Sequence, residues 1–174
     1  YTNYSCTVTP GEVIAGSDYT LDLLLNYYSM YVVVGADWNQ DGDFSDAGEV
    51  TSYGRQQTYN ASYTVSVPAD AVAGQTRLRI AMSYYEITDV CGSAGSGYGE
   101  GEDYAINVSV PVISTTGSLS SFAACSETAS SSQQITVSGS SMQAAITATA
   151  PTNFEVSSDN VNFGSSVQLG APGT

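Results

Sequence analysis

The sequence predicts an all-β protein of two tandem β-sandwich domains, of the jelly-roll or immunoglobulin-like kind, with the second domain incomplete. Short runs rich in Val, Ile, Thr and Tyr alternate between apolar and polar side chains, which is the period of a half-buried strand. Gly, Pro, Asn and Ser separate these runs. The composition changes after Pro111. These observations predict a first domain over residues 1–110 and a second over residues 111–174.

The first domain contains several predicted strands. Residues 19–25 alternate as a strand does, although a helix over 21–25 is an alternative. Further strands are predicted at 31–34, 59–67, 76–84 and 105–110, and residues 50–53 begin a short strand or a turn. The clearest alternation lies in 76–84, and it fixes which side chains share a face. One face carries Leu78, Ile80 and Met82, and the other carries Arg77, Arg79 and Ala81.

The second domain is rich in Ser and Thr and contains no Tyr and no basic residue. Its predicted strands lie at 133–138, 145–150, 153–157 and 165–169. A closed sandwich of this kind needs about seven strands. We therefore expect that the chain is part of a longer protein or that another chain supplies the missing strand.

An acidic segment follows the predicted strand at 31–34. Residues 37–49 carry five carboxylates and no basic side chain. Acidic or amide residues alternate at its start and Gly42 follows them, which is the opening half of a calcium-loop pattern. Ca²⁺ accepts irregular shells of oxygen ligands, whereas Zn²⁺ prefers His and Cys, and the chain has no His. The pattern therefore predicts a Ca²⁺ site formed by Asp37, Asn39, Asp41, Asp43 and Glu49.

The match to an EF-hand loop is partial. Gly48 occupies the twelfth position, and the acid comes one residue later, at Glu49. The segment before the loop has the composition of a strand and not of a helix. The alternative is an acidic, solvated hairpin loop without an ion.

A second acidic cluster lies just before the strand predicted at 105–110. We expect Glu100, Glu102 and Asp103 to approach the first loop. The first loop supplies about four oxygens, whereas Ca²⁺ takes about six to eight. Alternatively, Arg79 neutralises part of the cluster through an Arg–carboxylate fork, or the cluster is a solvated edge.

The net charge excludes several classes of partner. It is −14 at pH 7, with three Arg and no Lys. Binding to nucleic acid or to an anionic membrane surface needs basic residues. No apolar run approaches the roughly 20 residues of a membrane-spanning helix. The chain shows no signal peptide and does not begin with Met, so we expect a mature product or a fragment, located outside the cell or at its surface.

The three cysteines allow three pairings in an oxidising compartment. Cys6 and Cys91 both lie in the first domain, and we favour a disulfide between them. Cys125 is then free or paired with a residue outside this chain. The alternative is three reduced thiols.

Several separated motifs of the first domain occur in an order that resembles the GEVED domain of secreted bacterial proteins. The motifs are DWNQDGDF at 37–44, GE at 48–49, VP at 67–68, Gly74 with TRLR at 76–79, CG at 91–92 and GEGEDY at 99–104. The naming motif usually has Val where this chain has Gly101. Residues 111–174 resemble more weakly the Ser/Thr-rich sandwich repeats of surface proteins of Bacteroidetes-type bacteria, around Phe122, Ser138–Gly139 and residues 150–156. The resemblance implies an extracellular, non-catalytic module found in long adhesins or attached to secreted hydrolases.

We expect no catalytic residue. A glycosidase uses two carboxylates, but the acids here are too many and too close to stay ionised without a cation. The predicted function is a structural module of an extracellular filament or adhesin, stabilised by calcium and a disulfide, with self-association or tandem neighbours as partners. The alternative is an accessory domain of a secreted hydrolase, with surface glycans as ligands for its 13 Tyr and single Trp.

Overall fold

A computed structural model describes residues 1–25, 28–91 and 98–170. Those residues form twelve strands and no helix, so the predicted all-β class is confirmed. None of them forms a helix long and apolar enough to cross a membrane. The chain divides into two compact units, Tyr1–Val110 and Pro111–Thr174.

Unit one is built from a six-stranded sheet and a separate two-stranded sheet. Its strands are β1 (Thr2–Asn3), β2 (Gly11–Ile14), β3 (Asp18–Leu24), β4 (Ser29–Ala36), β5 (Val50–Gln57), β6 (Asn60–Ser66), β7 (Gly74–Ser83) and β8 (Gly99–Ser109). The large sheet has the order β1-β8-β7-β4-β5, and β2 also pairs with β8. Strands β1 and β2 run parallel to β8, whereas the other pairs are antiparallel. Strands β3 and β6 form the second sheet.

The two-stranded sheet packs on one face of the large sheet. The buried side chains between the two sheets include Val32, Val34 and Ile80 from the large sheet and Ala61 and Tyr63 from β6. The predicted alternation along β6 explains this packing, because the apolar side chains at 61, 63, 65 and 67 all point inward. The result is a sandwich-like core.

The opposite face of the large sheet is covered by loops. There Val33 and Ala81 pack against Phe44, Ile87 and Val90, which lie outside the strands. Ile80 and Ala81 therefore belong to different buried clusters, as the predicted alternation of β7 requires. Arg77 and Arg79 share the face of Ala81, so the Arg-bearing face is the one that the loop after β4 covers.

Three strands and part of a fourth were not predicted. Strands β1, β2 and β9 (Val112–Thr116) lack a predicted counterpart, and β8 begins at Gly99 instead of 105. The acidic cluster at 100–103 therefore lies inside a strand. Strand β8 extends to Gly99 because the whole of β7 pairs with it, and the last pair is Ser83 opposite Gly99. The strand predicted at 153–157 is reduced to one isolated bridge, between Val156 and Gly164.

Unit two contains two short strand pairs. Strand β9 pairs with β10 (Thr136–Ser140), and β11 (Ile146–Thr149) pairs with β12 (Ser166–Leu169). Among the described residues 111–170, no side chain is buried. Large apolar side chains remain exposed instead, namely Val112, Ile113, Leu119, Phe122, Ile135, Phe154, Val161 and Phe163. The described part of this unit thus has strands without an enclosed core.

Candidate metal centre

The acidic loop connects β4 to β5 and is anchored at both ends. The amide of Ala36 donates to the carbonyl of Glu49 at 2.8 Å, which closes the base of the loop. The amide of Asp37 donates to the carbonyl of Arg77 at 3.1 Å, and the hydroxyl of Thr76 donates to the carbonyl of Asp37 at 2.5 Å. Phe44 fixes the middle of the loop to the sheet, since its side chain is buried. The loop is therefore an ordered part of the fold.

Glu49 is buried and organises the loop backbone. Its Oε1 accepts hydrogen bonds from the amides of Trp38, at 3.0 Å, and Asn39, at 3.4 Å. Its Oε2 accepts one from the amide of Asp46 at 3.3 Å. Glu49 is only 4% exposed. Its carboxylate thus satisfies backbone donors on both sides of the loop, of which the amide of Trp38 is buried.

Asp37 is also buried, at 5% exposure, but only one of its oxygens is satisfied. Its Oδ2 accepts a hydrogen bond from the amide of Gly42 at 3.1 Å. Gly42 has a φ of 101°, a conformation that glycine adopts more readily than other residues. Asp37 Oδ1 is buried and has no hydrogen-bond partner. A buried carboxylate oxygen without a partner is unfavourable unless a cation or a donor reaches it.

Three exposed carboxylates cluster in the same loop. Oxygen atoms of Asp41, Asp43 and Asp46 all lie within 4.8 Å of one another. At that separation the three negative charges repel one another. The amide nitrogen of Asn39 donates to Asp41 at 3.0 Å and to Asp46 at 2.8 Å. Hydrogen bonds from the hydroxyl and then the amide of Ser45 lower the pKa of Asp43, so it stays ionised at neutral pH.

Asp103 forms an ion pair with Arg79. Arg79 Nε lies 2.5 Å from Asp103 Oδ1, and Arg79 Nη2 lies 2.7 Å from Oδ2, which is a two-pronged fork. The hydroxyl of Tyr1 also donates to Oδ2. Burial by itself would raise the pKa of Asp103, but the hydrogen bonds from Arg79 and Tyr1 outweigh it and lower that pKa. The same bond to Asp103 raises the pKa of Arg79. Asp103 is therefore a charged partner of Arg79.

Glu100 and Glu102 lie on the other face of the sheet. In the register of β7 with β8, Asp103 is opposite Arg79, whereas Glu102 is opposite Ile80 and Glu100 is opposite Met82. Side chains alternate between faces along a strand, so these two carboxylates share the face of Ile80 and not the face that the loop covers. Glu102 accepts a hydrogen bond from the hydroxyl of Tyr104 at 2.9 Å. The predicted approach of Glu100 and Glu102 to the loop is not found.

Residues 31–107 match the family model of the GEVED domain. The resemblance drawn from the motifs is thus confirmed over those residues. The match begins in β4 and ends in β8, so it includes the acidic loop and the Arg79–Asp103 pair. A search among curated proteins and another among solved structures each found no match.

Within residues 31–107 the structure groups the predicted ligands differently from the sequence. It brings Asp41 and Asp43 together with Asp46, which the predicted ligand set omitted. The sequence places Asp46 in the same acidic loop, but the contacts within the folded loop decide which carboxylates lie close together. Asn39 contacts this cluster, whereas Asp37 and Glu49 are buried and bind backbone amides.

The cysteines carry free, exposed thiols in the structure. The sulfur of Cys91 lies 3.7 Å from Nη1 of Arg79, and that of Cys6 lies 3.9 Å from the hydroxyl of Ser5. No bond joins Cys6 to Cys91 in the structure, and the predicted bridge between them stays a prediction. Gly92, which follows Cys91 in the motif of the GEVED domain, lies outside the described residues.

Proposed function

We propose that the chain is a non-catalytic structural module of an extracellular bacterial filament or cell-surface adhesin, stiffened by Ca²⁺ in the acidic loop. The observation that carries the proposal is the partnerless buried oxygen of Asp37, in the same loop as the three carboxylates within 4.8 Å of one another. A hard cation with oxygen ligands would offset the charge of the three carboxylates.

The residues of the loop suit Ca²⁺ by their chemistry. The carboxylates of Asp41, Asp43 and Asp46 would hold the ion. Asp37 lies outside their group, and its Oδ1 would have to move toward the ion to become a further ligand. The side-chain nitrogen of Asn39 touches two of the carboxylates, and its oxygen accepts from the amide of Asp41 at 3.1 Å; a half-turn of the side-chain amide would bring its oxygen to the ion and would break that bond. Five side-chain oxygens fall short of the about six to eight that Ca²⁺ takes, and backbone carbonyls or water supply the rest in such sites.

Thermal unfolding with CaCl₂ and with a chelator tests the proposal. Fluorescence of Trp38 reports on unit one, because this residue is buried in its core. Binding to the folded state alone stabilises by about 2.7 kcal/mol when the ion is at a hundredfold excess over its dissociation constant. We expect this gain with CaCl₂, a smaller gain with MgCl₂, and no gain in Asp41→Ala. Asp70→Ala removes an equally exposed charge outside the loop and serves as the matched control.

Absence of a calcium effect, or an equal effect in Asp41→Ala and Asp70→Ala, would refute the metal site. Equal stabilisation by NaCl at matched ionic strength would assign the effect to screening of the acidic loop.

The extracellular location and the filament role rest on other features. The GEVED domain is a domain of extracellular-type proteins, which supports an extracellular module. The net charge of −14 suits a medium rich in divalent cations. The exposed apolar side chains of unit two favour coverage by a neighbouring module or by another copy. Sedimentation velocity over a range of concentrations tests this, with association expected for the native chain and reduced association for Ile113→Ser.

A disulfide between Cys6 and Cys91 remains part of the proposal. Such a bridge would close a long loop and stabilise the fold by about 4.6 kcal/mol in the chain-entropy account. Labelling of accessible thiols after mild oxidation measures it directly. One labelled thiol, at Cys125, supports the bridge, and three labelled thiols contradict it.

A further inference from the structure

A polar groove lies on the Arg-bearing face of the large sheet in unit one. Strands β1, β7 and β8 form its floor, and the acidic loop contributes one wall through Asp37 and Gln40. Tyr1 and Arg77 also line it. Its volume is about 430 Å³, which is within the usual range for small-molecule sites.

The groove carries hydrogen-bonding groups that the described residues leave without partners. Gln40 donates to the carbonyl of Val72, and Gln75 donates to Asn107, but the side-chain oxygens of both glutamines accept no hydrogen bond. Asn3 accepts from Ser5, but its amide nitrogen donates to no described group. The lining thus presents two free acceptors and one free donor.

Arg77 adds further free donors. Its Nη2 donates to the carbonyl of Gly42 at 3.1 Å, and the contacts of the described residues leave Nη1 without a partner. Its guanidinium is held over the ring of Phe44, at 5.0 Å from the centroid. The guanidinium is therefore held in place by the carbonyl of Gly42 and the ring of Phe44 instead of by a carboxylate.

A mixture of free donors and acceptors favours hydroxyl groups, because each hydroxyl both donates and accepts. The exposed ring of Tyr1, which is 67% accessible, offers an apolar surface beside these polar groups. Charge argues against an anionic ligand, since the chain carries −14 and the lining includes Asp37. An extended peptide would instead pair with a free strand edge, and the groove lies on the face of the sheet.

We infer that this groove binds a neutral oligosaccharide. The inference goes beyond the structural role proposed above and assigns the groove a ligand class. It does not require the metal ion, so it can fail while the calcium site stands, and the reverse also holds.

Isothermal titration calorimetry with four neutral tetrasaccharides, cellotetraose, mannotetraose, xylotetraose and chitotetraose, tests the inference. The anionic tetragalacturonate is titrated in parallel, and every titration is run in calcium and again in a chelator. We expect at least one neutral sugar to bind at millimolar concentration or below, and tetragalacturonate to bind more weakly.

Gln75→Ala is the informative variant, because its side chain is exposed and its loss should leave folding unchanged. One lost hydrogen bond of about 1.4 kcal/mol weakens binding about tenfold. Gln57→Ala, an exposed glutamine on β5 outside the groove, should bind like the native chain. No binding of any neutral sugar, equal binding of tetragalacturonate, or equal weakening by Gln57→Ala would overturn the inference.

Discussion

Arg79→Met tests whether Asp103 is a buried charge that depends on its partner. The variant keeps an unbranched apolar stem and removes both hydrogen bonds of the fork. The side chain of Asp103 is 2% exposed, whereas that of Arg79 is 17% exposed, so the group left behind is the one that water cannot reach. Removing one partner of a buried pair costs about 3–5 kcal/mol. Since the hydroxyl of Tyr1 still donates to Asp103, we expect a loss near the lower limit, about 3 kcal/mol.

The pH dependence of this loss follows from the pKa of Asp103. In the native chain that pKa lies below its unfolded value, because the bonds from Arg79 and Tyr1 outweigh burial. The stabilisation is therefore present above the unfolded pKa of about 3.9 and is lost as the pH falls through the folded pKa. In Arg79→Met, burial is no longer opposed by Arg79, so we expect the folded pKa to rise above the unfolded value. The carboxyl group then favours folding at low pH and opposes it as the pH rises, so the difference between variant and native chain should shrink from pH 7 to pH 4.

Urea unfolding at pH 7 and pH 4 measures both effects. Fluorescence of Trp38 follows the transition, and a chelator in every sample removes any contribution of metal binding. Arg55→Met is the matched control, since Arg55 is exposed and, among the described residues, contacts the side chain of Ser29, the carbonyl of Tyr84 and the rings of Tyr31 and Tyr84 but no carboxylate. It should cost less than about 1 kcal/mol at either pH. A loss in Arg79→Met no larger than this, or one that stays constant between pH 7 and pH 4, would refute the reasoning.

Two further substitutions test packing, both by the urea midpoint. Gly35→Ala would place a Cβ 2.8 Å from Cγ2 of Val90, so we expect a loss of stability of about 1–3 kcal/mol. Gly11→Ala is the control, because its Cβ would meet no atom closer than 3.6 Å and stability should change little. Equal losses of stability in the two variants would contradict the expected clash. The buried hydroxyl of Tyr63 has no hydrogen-bond partner, so Tyr63→Phe should leave stability unchanged or raise it by about 1 kcal/mol. Tyr53→Phe is the control, because it removes a hydrogen-bonded hydroxyl and should lower stability. A clear loss of stability in Tyr63→Phe would show that the hydroxyl of Tyr63 is hydrogen-bonded.

Most strands of unit one could be predicted because the alternation of apolar and polar side chains can be read from the residues of each strand alone. In β7 the side chains of Ile80 and Ala81 enter different buried clusters, as the pattern requires. Strands β1 and β2 could not be predicted in this way. They are short, and they pair in parallel with β8, about a hundred positions along the chain, through contacts such as Asn3 opposite Asp103. Such pairing depends on the assembled sheet more than on local composition.

The acidic loop was predictable as a unit, but the separate roles of its carboxylates were not. All five acids come from one short segment, so their proximity follows from chain connectivity. Which of them are buried depends on long-range contacts. Asp37 and Glu49 are buried and accept from the backbone amides of Gly42 and Trp38, while Asp41 and Asp43 remain at the surface. The sequence contains the residues of the site but not the packing that sorts them.

The three arginines decide what can neutralise the loop. Arg79 is paired with Asp103, which the register of β8 places directly opposite it. Consecutive residues of a strand face opposite sides of the sheet, so Glu102 faces the other side. Arg77 donates to a backbone carbonyl of the loop, and Arg55 bonds at the far end of the sheet. The chain has no Lys and no fourth Arg. Among the described residues the loop carboxylates therefore have no side-chain cation as an ion-pair partner, which is the reason for proposing that a bound metal ion offsets their charge.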